Sequence, residues 1–519
     1  MDTQKLRKKI LDLAIRGKLV PQDSNDEPAS ILLDRIRAEK QQMVVDEKLK
    51  AKDIKNDSII FRGDDNLHYE KVGDGEPVLI ENEIPFELPQ GWAWGRLSNV
   101  GQWQSGATPS KTNKEYYDDG TIPWLLTGDL NDNYIDYIPN MITQTAYEET
   151  SVKLNPVGSV LIAMYGATIG KLGMLSIEAT TNQACCACVP YDSVNKLFLF
   201  FFLMSHRDSF IKKGEGGAQP NISKEKILTT IIPVPPLAEQ ERIVASLDEY
   251  LSEIDSIEQA QSELEDLFTK TRSKILDLAI RGKLVPQDPN DEPASVLLER
   301  IHVEKQQMVR DGKLKPKDIK NDSIIFRGDD NSYYECFFPA EVLYVDDELP
   351  FELPEGWVWS RLSMLAASSG GKTPSTSEKD FWDNGTVPWV TSKDMKSPEL
   401  YSSQIMMTEK AAQTTKVIPP NSVLVVTRSG ILQRTLPVAI TRMRTTINQD
   451  IKALIPYRDD MAEHIRLALI SQEARLLLTF SKAGTTVESI DFERLYHMPI
   501  PVPPLAEQER IFNTLHCLL

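Results

Sequence analysis

Tyr165-Gly166-Ala167-Thr168-Ile169-Gly170-Lys171 and Thr427-Arg428-Ser429-Gly430, with Gln433 and Arg434 just beyond, set hydrogen-bonding side chains on glycine turns. Arg held bidentate to guanine and Gln held bidentate to adenine are favoured protein contacts with a base edge in a major groove. Tyr165, Thr168 and Lys171 of the first turn, and Arg428, Ser429, Gln433 and Arg434 of the second, are therefore candidates for nucleic-acid contact. The plainer alternative is an ordinary turn with solvated bases. The first turn brushes against the phosphate-binding loop, but only three residues separate its glycines, and Leu172 stands where Ser or Thr would hold magnesium. Those two defects argue against nucleotide binding.

A second loop in each half repeats the chemistry. Lys212 to Asn221 offers Lys213, Gln219 and Asn221, and Ser481 to Thr486 offers Lys482 and Thr485, both among glycines. Flexible backbone with Lys, Thr and amide groups suits phosphate contact, where a plain surface loop is the competing account. Thr108 and Ser110 in one half match Thr373 and Ser375 in the other, which adds them to the candidates together with the flanking Lys111 and Lys372. Asn182-Gln183 and Asn448-Gln449 can read adenine or hydrogen-bond a sheet end, and the structural reading is preferred. Cys185, Cys186 and Cys188 have no partner pair and no nearby His, so they read as small residues in a buried strand rather than zinc ligands. The six histidines are scattered with no evident triad, and no Asn/Asp-Pro-Pro-aromatic loop for amino-methyl transfer is found.

These loops need elements to carry them. A chain of 519 residues exceeds one ordinary core and predicts two to four domains. Its 41% hydrophobic and 26% charged residues fit a soluble globular protein, and no apolar run is long enough to span a bilayer. Five cysteines without a disulfide framework point to a reducing cytoplasm. The net charge of −18 speaks against nucleic acid at first sight. Between Pro236 and Lys270, however, ten acids face two bases, so nearly half of that charge belongs to one helical stretch.

That stretch organises the chain. Ile243, Leu247, Tyr250, Ile254, Ile257, Leu264 and Phe268 alternate in steps of four and three around Gln261, the spacing of a coiled-coil seam. The seam resumes at Ile275 and Leu278 and stops at Gly282, a plausible C-terminal cap. Ile275 to Gly282 reappears as Ile10 to Gly17, and Pro235 to Ile243 reappears as Pro503 to Ile511. Residues 10–44 match 275–309 at 30 of 35 positions, and residues 52–66 match 317–331 at every position. The two chain ends together thus resemble the middle, which is a circularly permuted pseudo-repeat. The bodies between, about 97–232 and 362–500, have diverged far more than their flanks. Similar bodies on nearly constant connectors are what a protein reading two different targets would carry.

Within each body, Ser159 to Ala163 and Ser422 to Val426 predict buried strands, and Phe198 to Met204 and Ile465 to Leu478 predict helices. Leu-Pro-x-Gly-Trp-x-Trp, at Leu88 to Trp94 and Leu353 to Trp359, marks a strand entering each body. The fold class expected is α/β (mixed α+β): two similar domains separated by long antiparallel coiled-coil helices in a circular pseudo-two-fold arrangement. The expected divisions are a helical and connector region at 1–90, a first reader at 91–236 and a spacer helix at 237–282. A repeated connector at 283–355 and a second reader at 356–504 follow, and a short helix at 505–519 pairs with the spacer.

The Pro-Pro-Leu-Ala-Glu-Gln-Glu-Arg-Ile helix starts at 235 and 503, the Trp-x-Trp entries and the two divergent bodies make the chain resemble the specificity subunit of a Type I restriction-modification enzyme, over essentially its whole length. The resemblance implies two target recognition domains, each reading one half of a bipartite double-stranded DNA target. It implies spacer helices that set the gap and dock two methyltransferase subunits, with restriction/translocase subunits in the larger complex. It further implies no catalysis by this chain, no directly bound cofactor, S-adenosylmethionine used by the methyltransferase partner, and no membrane. The terminal helices supply no equivalent of about 252–266, so the spacer is expected to be partly uncovered there. A coiled-coil adaptor without DNA and a self-contained DNA-modifying enzyme are the competing classes.

Overall fold

The computed structural model describes residues 2–55, 57–215, 220–320, 322–337, 341–482 and 488–519. The chain divides into two compact units, Met1–Ser262 and Glu263–Leu519, so the boundary falls inside the central helix Leu237–Ile280. Both units have the same element order, which is the form the circular repeat takes. In the first, helices Thr3–Ile15 and Ala29–Val45 precede an antiparallel sheet of Ser58–Arg62, His68–Val72 and Val78–Leu79. Strand Ala93–Arg96 enters the body, pairs antiparallel with the exit strand Ile231–Val234, and the central helix begins. In the second, the end of the central helix and helix Ala294–Arg310 precede the sheet Ser323–Arg327, Tyr333–Phe337 and Glu341–Tyr344. Strand Val358–Arg361 pairs with Pro499–Val502, and helix Leu505–Leu518 closes the unit.

Each body is built on a five-stranded sheet. In the first the order is Gly101–Ser105, Cys185–Pro190, Val160–Ala163, Leu172–Leu175 and Tyr134–Ile135, antiparallel except for the last pair. Alternation along Cys185–Pro190 sends Cys186 and Cys188 to the larger core, which also holds Phe198 and Phe202, and Cys185 and Ala187 to the other. Burial pushes the Cys186 thiol up to about 12, so the cysteines act as small apolar residues, as their spacing suggested. The helix expected at 465–478 is two, Ala462–Ile470 and Glu473–Phe480, because Gln472 (φ −109°, ψ 13°) breaks the helical path and donates to the Ala468 carbonyl at 3.1 Å.

Helices pair within each unit. Arg7 on the N-terminal helix hydrogen-bonds Glu258 at 3.0 Å and pairs with Asp255, while Gln22 further along reaches Glu239 at 3.1 Å, so the two segments run antiparallel. In the second unit Gln287 reaches Glu507 at 3.1 Å, and Ile511 shares a core with Leu276 and Ala279, with Leu515 packed against it. Of the expected seam, Ile243, Leu247 and Ile254 are buried, whereas Tyr250, Leu264 and Phe268 are exposed. Contacts from Arg7 extend cover past 252, and every residue from 262 to 274 is exposed, so the bare stretch lies later than the sequence match suggested.

One interaction ties the entry strand to the helix start in both units. The buried Glu239 carboxylate accepts from the Trp92 indole at 2.9 Å and from Gln22, and Glu507 accepts from Trp357 at 3.0 Å and from Gln287. Gly17 and Gly282 end their helices at φ +63°, and a Cβ at either would overlap Pro89 and Trp92, or Pro354 and Trp357. Glycine is therefore required by both dihedral and space. Nearby, the Arg96 guanidinium bridges Glu70, Glu83 and the Thr229 carbonyl, each at 2.6 Å, and Arg361 repeats this with Glu335, Glu348 and the His497 carbonyl.

Desolvation by burial raises the pKa of both Glu239 and Glu507, against the hydrogen bonds that lower it. A carboxyl whose folded pKa lies above its unfolded value binds protons more tightly when folded, so its contribution to stability falls as pH rises through that window. Glu239→Gln and Glu507→Gln remove this term. Relative to the native chain, each variant should gain stability as pH rises above the ordinary glutamate range, as read in thermal unfolding. A difference independent of pH, or one that shrinks with rising pH, would contradict the assignment.

Candidate nucleic-acid interface

The glycine turns sit at one end of the five-stranded sheet, where four separate segments meet. In the first body the Met164 N–H donates to the Ala184 carbonyl at 2.8 Å, and the Ile222 N–H to the Met164 carbonyl at 2.9 Å. The Gly166 N–H reaches the Pro220 carbonyl at 2.8 Å, Gly106 reaches Cys185 at 3.1 Å, and Ala107 reaches Thr181 at 2.9 Å. The second body repeats the arrangement: Thr427 bonds the Asp450 carbonyl at 2.8 Å, Ile490 the Thr427 carbonyl at 2.9 Å, and Lys372 the Ile447 carbonyl at 3.0 Å. Main-chain bonds thus fix where the loops meet, and the side chains on them are free to differ.

In the first body Ser110, Lys111, Tyr165, Lys171, Lys213 and Asn221 are exposed on these segments. Buried Ile169 anchors the turn, and Thr168 donates its hydroxyl to the Tyr165 carbonyl at 2.8 Å, which shapes the turn. In the second body Lys372, Ser375, Arg428, Gln433 and Arg434 are exposed. Buried Leu432 anchors the short helix Gly430–Gln433, and Ser429 caps it by accepting from the Ile431 N–H at 3.4 Å. Lys482 is exposed but paired with Asp491 at 2.8 Å, and this contact and the Arg494 N–H hold that carboxyl below its ordinary value. Gln219 and Thr485 lie outside the described residues.

Thr108 and Thr373 turn out to have the same partner. Each donates its hydroxyl to the side-chain oxygen of a glutamine, Gln183 and Gln449 respectively. The structure separates the two residues of each Asn-Gln pair. Asn182 accepts from the Ala184 N–H at 3.2 Å, and Asn448 bridges Asp450 through its N–H at 3.2 Å and its carboxylate at 3.1 Å. These asparagines hold the sheet end, as preferred from sequence, whereas Gln183 and Gln449 are exposed beside the candidate turns. The signal that was available for them is the recurrence of Thr and Gln in two bodies that otherwise differ.

Each body therefore presents exposed bases, amides and hydroxyls at one end of a sheet, a set suited to phosphates and base edges. A cleft of about 1210 Å³ in the first unit is lined by residues that include Arg7, Asp132 and Phe200, and by none of the candidate residues. Among the described residues no group of three or more His, Cys, Asp or Glu converges as a metal site would.

Residues 89–266 and 354–519 match the family model described as Type I restriction modification DNA specificity domain. The chain is 31% identical to the Type I restriction enzyme EcoAI specificity subunit of Escherichia coli, over 70% of this chain and 62% of that protein, less than two thirds of its length. It is 28% identical to the EcoEI specificity subunit of Escherichia coli, over 99% of this chain and 88% of that protein. A chain solved in work on the assembly and conformational transition of the type I R-M system has the same fold, with a TM-score of 0.56, 18% identity, and coverage of 84% of this chain and 91% of that one.

The separation of holding from presenting residues has a measurable consequence. Asn448→Ala strips a buried partner from Asp450 and should cost about 1–2 kcal/mol in denaturant unfolding. Gln449→Ala, one residue on and exposed, should stay within about 0.5 kcal/mol of the native chain. Equal losses would contradict the division.

Proposed function

Because the chain belongs to the Type I restriction modification DNA specificity family, we propose that it is the subunit that reads DNA for a methyltransferase and restriction complex. Each body reads one half of a bipartite target, and the central helix sets the gap between the halves. The chain itself catalyses nothing and holds no cofactor; two methyltransferase subunits, using S-adenosylmethionine, and restriction/translocase subunits supply the chemistry. The observation that carries this reading is the pair of bodies with one backbone framework and different side chains on it. Tyr165 and Lys171 in the first occupy the place of Arg428, Gln433 and Arg434 in the second. A common scaffold with unlike readers is the requirement for an asymmetric split site.

Selection of bound sequences from a random DNA library by the assembled complex tests it. The native complex should return two unlike half-sites with a fixed gap. Arg428→Ala should relax one position of one half-site, losing about 1–3 kcal/mol of discrimination, and leave the other half-site unchanged. Uniform weakening without a change in the selected sequence would make Arg428 a phosphate contact instead. Four residues inserted after Ser262, about one helical turn, should lengthen the gap and preserve both half-sites. A changed half-site with an unchanged gap would refute the role of the helix.

A further inference from the structure

The turns that differ between the two bodies flank one arrangement that does not. Gly106-Ala107-Thr108-Pro109-Ser110 meets Thr181-Asn182-Gln183 in the first body, and Gly371-Lys372-Thr373-Pro374-Ser375 meets Ile447-Asn448-Gln449 in the second. Glycine permits the approach. A Cβ on Gly106 would overlap the carbonyl oxygens of Thr181 and Asn182, and one on Gly371 those of Ile447 and Asn448. The Asn182 N–H donates to the Leu125 carbonyl at 3.0 Å and the Asn448 N–H to the Val390 carbonyl at 3.1 Å, so each segment is seated at the same place in its own body. Elsewhere around the loop the residues have changed while the bracing has not. Tyr117 donates its hydroxyl to the Pro109 carbonyl at 2.7 Å, whereas in the second body the Trp382 indole donates to the Ser375 carbonyl at 3.0 Å.

The glycines and asparagines of this arrangement are explained by the frame they build. The glutamines are not. Gln183 and Gln449 are exposed, and neither amide nitrogen has a hydrogen-bond partner among the described residues. A long amide side chain in water keeps its rotamers free unless something holds it. Here the Thr108 and Thr373 hydroxyls donate to the glutamine oxygens, which fixes which end of each amide is acceptor and which is donor. The held oxygen retains a lone pair, and the nitrogen beside it retains its hydrogens. That is the pair a glutamine sets against the N6–H and N7 of adenine. A phosphate takes donors only, so a fixed amide oxygen would add nothing to its binding. The unlike neighbours, Tyr165 and Lys171 against Arg428, Gln433 and Arg434, suit bases that differ between half-sites. A like reader at a like place suits a base that both half-sites share.

We propose that Gln183 and Gln449 are specificity-determining residues, each reading an adenine at the corresponding place of its own half-site, with Thr108 and Thr373 as positioning residues. The proposal rests on the preceding reading of the chain as the DNA-reading subunit and adds which base two otherwise unlike half-sites have in common.

The test is selection of bound sequences from a random DNA library by the full chain assembled with methyltransferase subunits. The native complex should return an adenine in each half-site. Gln183→Ala should lower the preference for one adenine of one half-site by roughly tenfold, and Gln449→Ala should do the same in the other. Gln449→Glu should turn that adenine into cytosine, because a carboxylate accepts from cytosine N4. Thr373→Val should weaken the same position by less than Gln449→Ala and leave every other position unchanged, which a loss of folding would not do. If an Ala variant unfolds, Gln183→Met and Gln449→Met, of equal length without the amide, provide the same comparison. An even loss of affinity for all sequences would make the glutamines phosphate contacts and overturn the proposal, as would unchanged selection or native half-sites that share no adenine. Each of those results leaves a split target and the reading of the chain intact. A native complex that selects no split sequence would overturn both.

Discussion

Glu239 and Glu507 each accept an indole N–H and an amide N–H in a buried setting, and in doing so join three pieces of chain distant in sequence. The tryptophan opens the strand that leads into a body, the glutamine follows a helix that ends in a left-handed glycine, and the glutamate begins the helix that leaves the body. Hydrogen bonds to a charged acceptor contribute about 1.5–3 kcal/mol, and stranding the acceptor costs more. The same carboxylate that fixes entry and exit is itself penalised by desolvation, so its partners cannot be exchanged freely. With this junction set, the orientation of each body on its helix follows.

What varies is placed where variation does least damage. The strands Val160–Ala163 and Ser422–Val426 are fully buried and end at the two turns. Main-chain bonds hold those turns against the neighbouring loops, so Lys171 in one body and Arg428 in the other change the surface without changing the frame. Asn182 and Asn448 belong to the frame, and Gln183 and Gln449 to the surface. The family match extends across both bodies and is interrupted between residues 266 and 354.

Much of this was legible in the sequence, for physical reasons that differ by element. The Trp-x-Trp entries, the glycine caps and the buried strands are local patterns, and they were found where expected. The repeat exposed the unit structure because it compares two copies of one solution. Pairings between loops were not legible, because the contact of Gly166 with Pro220, or of Ser429 with Glu488, depends on how the sheet ends are brought together. The heptad seam misled over Tyr250 and Phe268, since a periodic apolar stripe states that a helix can be covered and not that it is. The distinction between the two amides of each Asn-Gln pair required the sheet end itself.

The central claim is that two unlike readers on one frame recognise a single split sequence. Genome-wide mapping of methylated sites, in cells carrying this chain with a methyltransferase subunit, tests that claim most directly. The account predicts one bipartite motif with two unlike halves and one fixed gap. Modification at an unsplit motif, or no sequence-dependent modification, would contradict it.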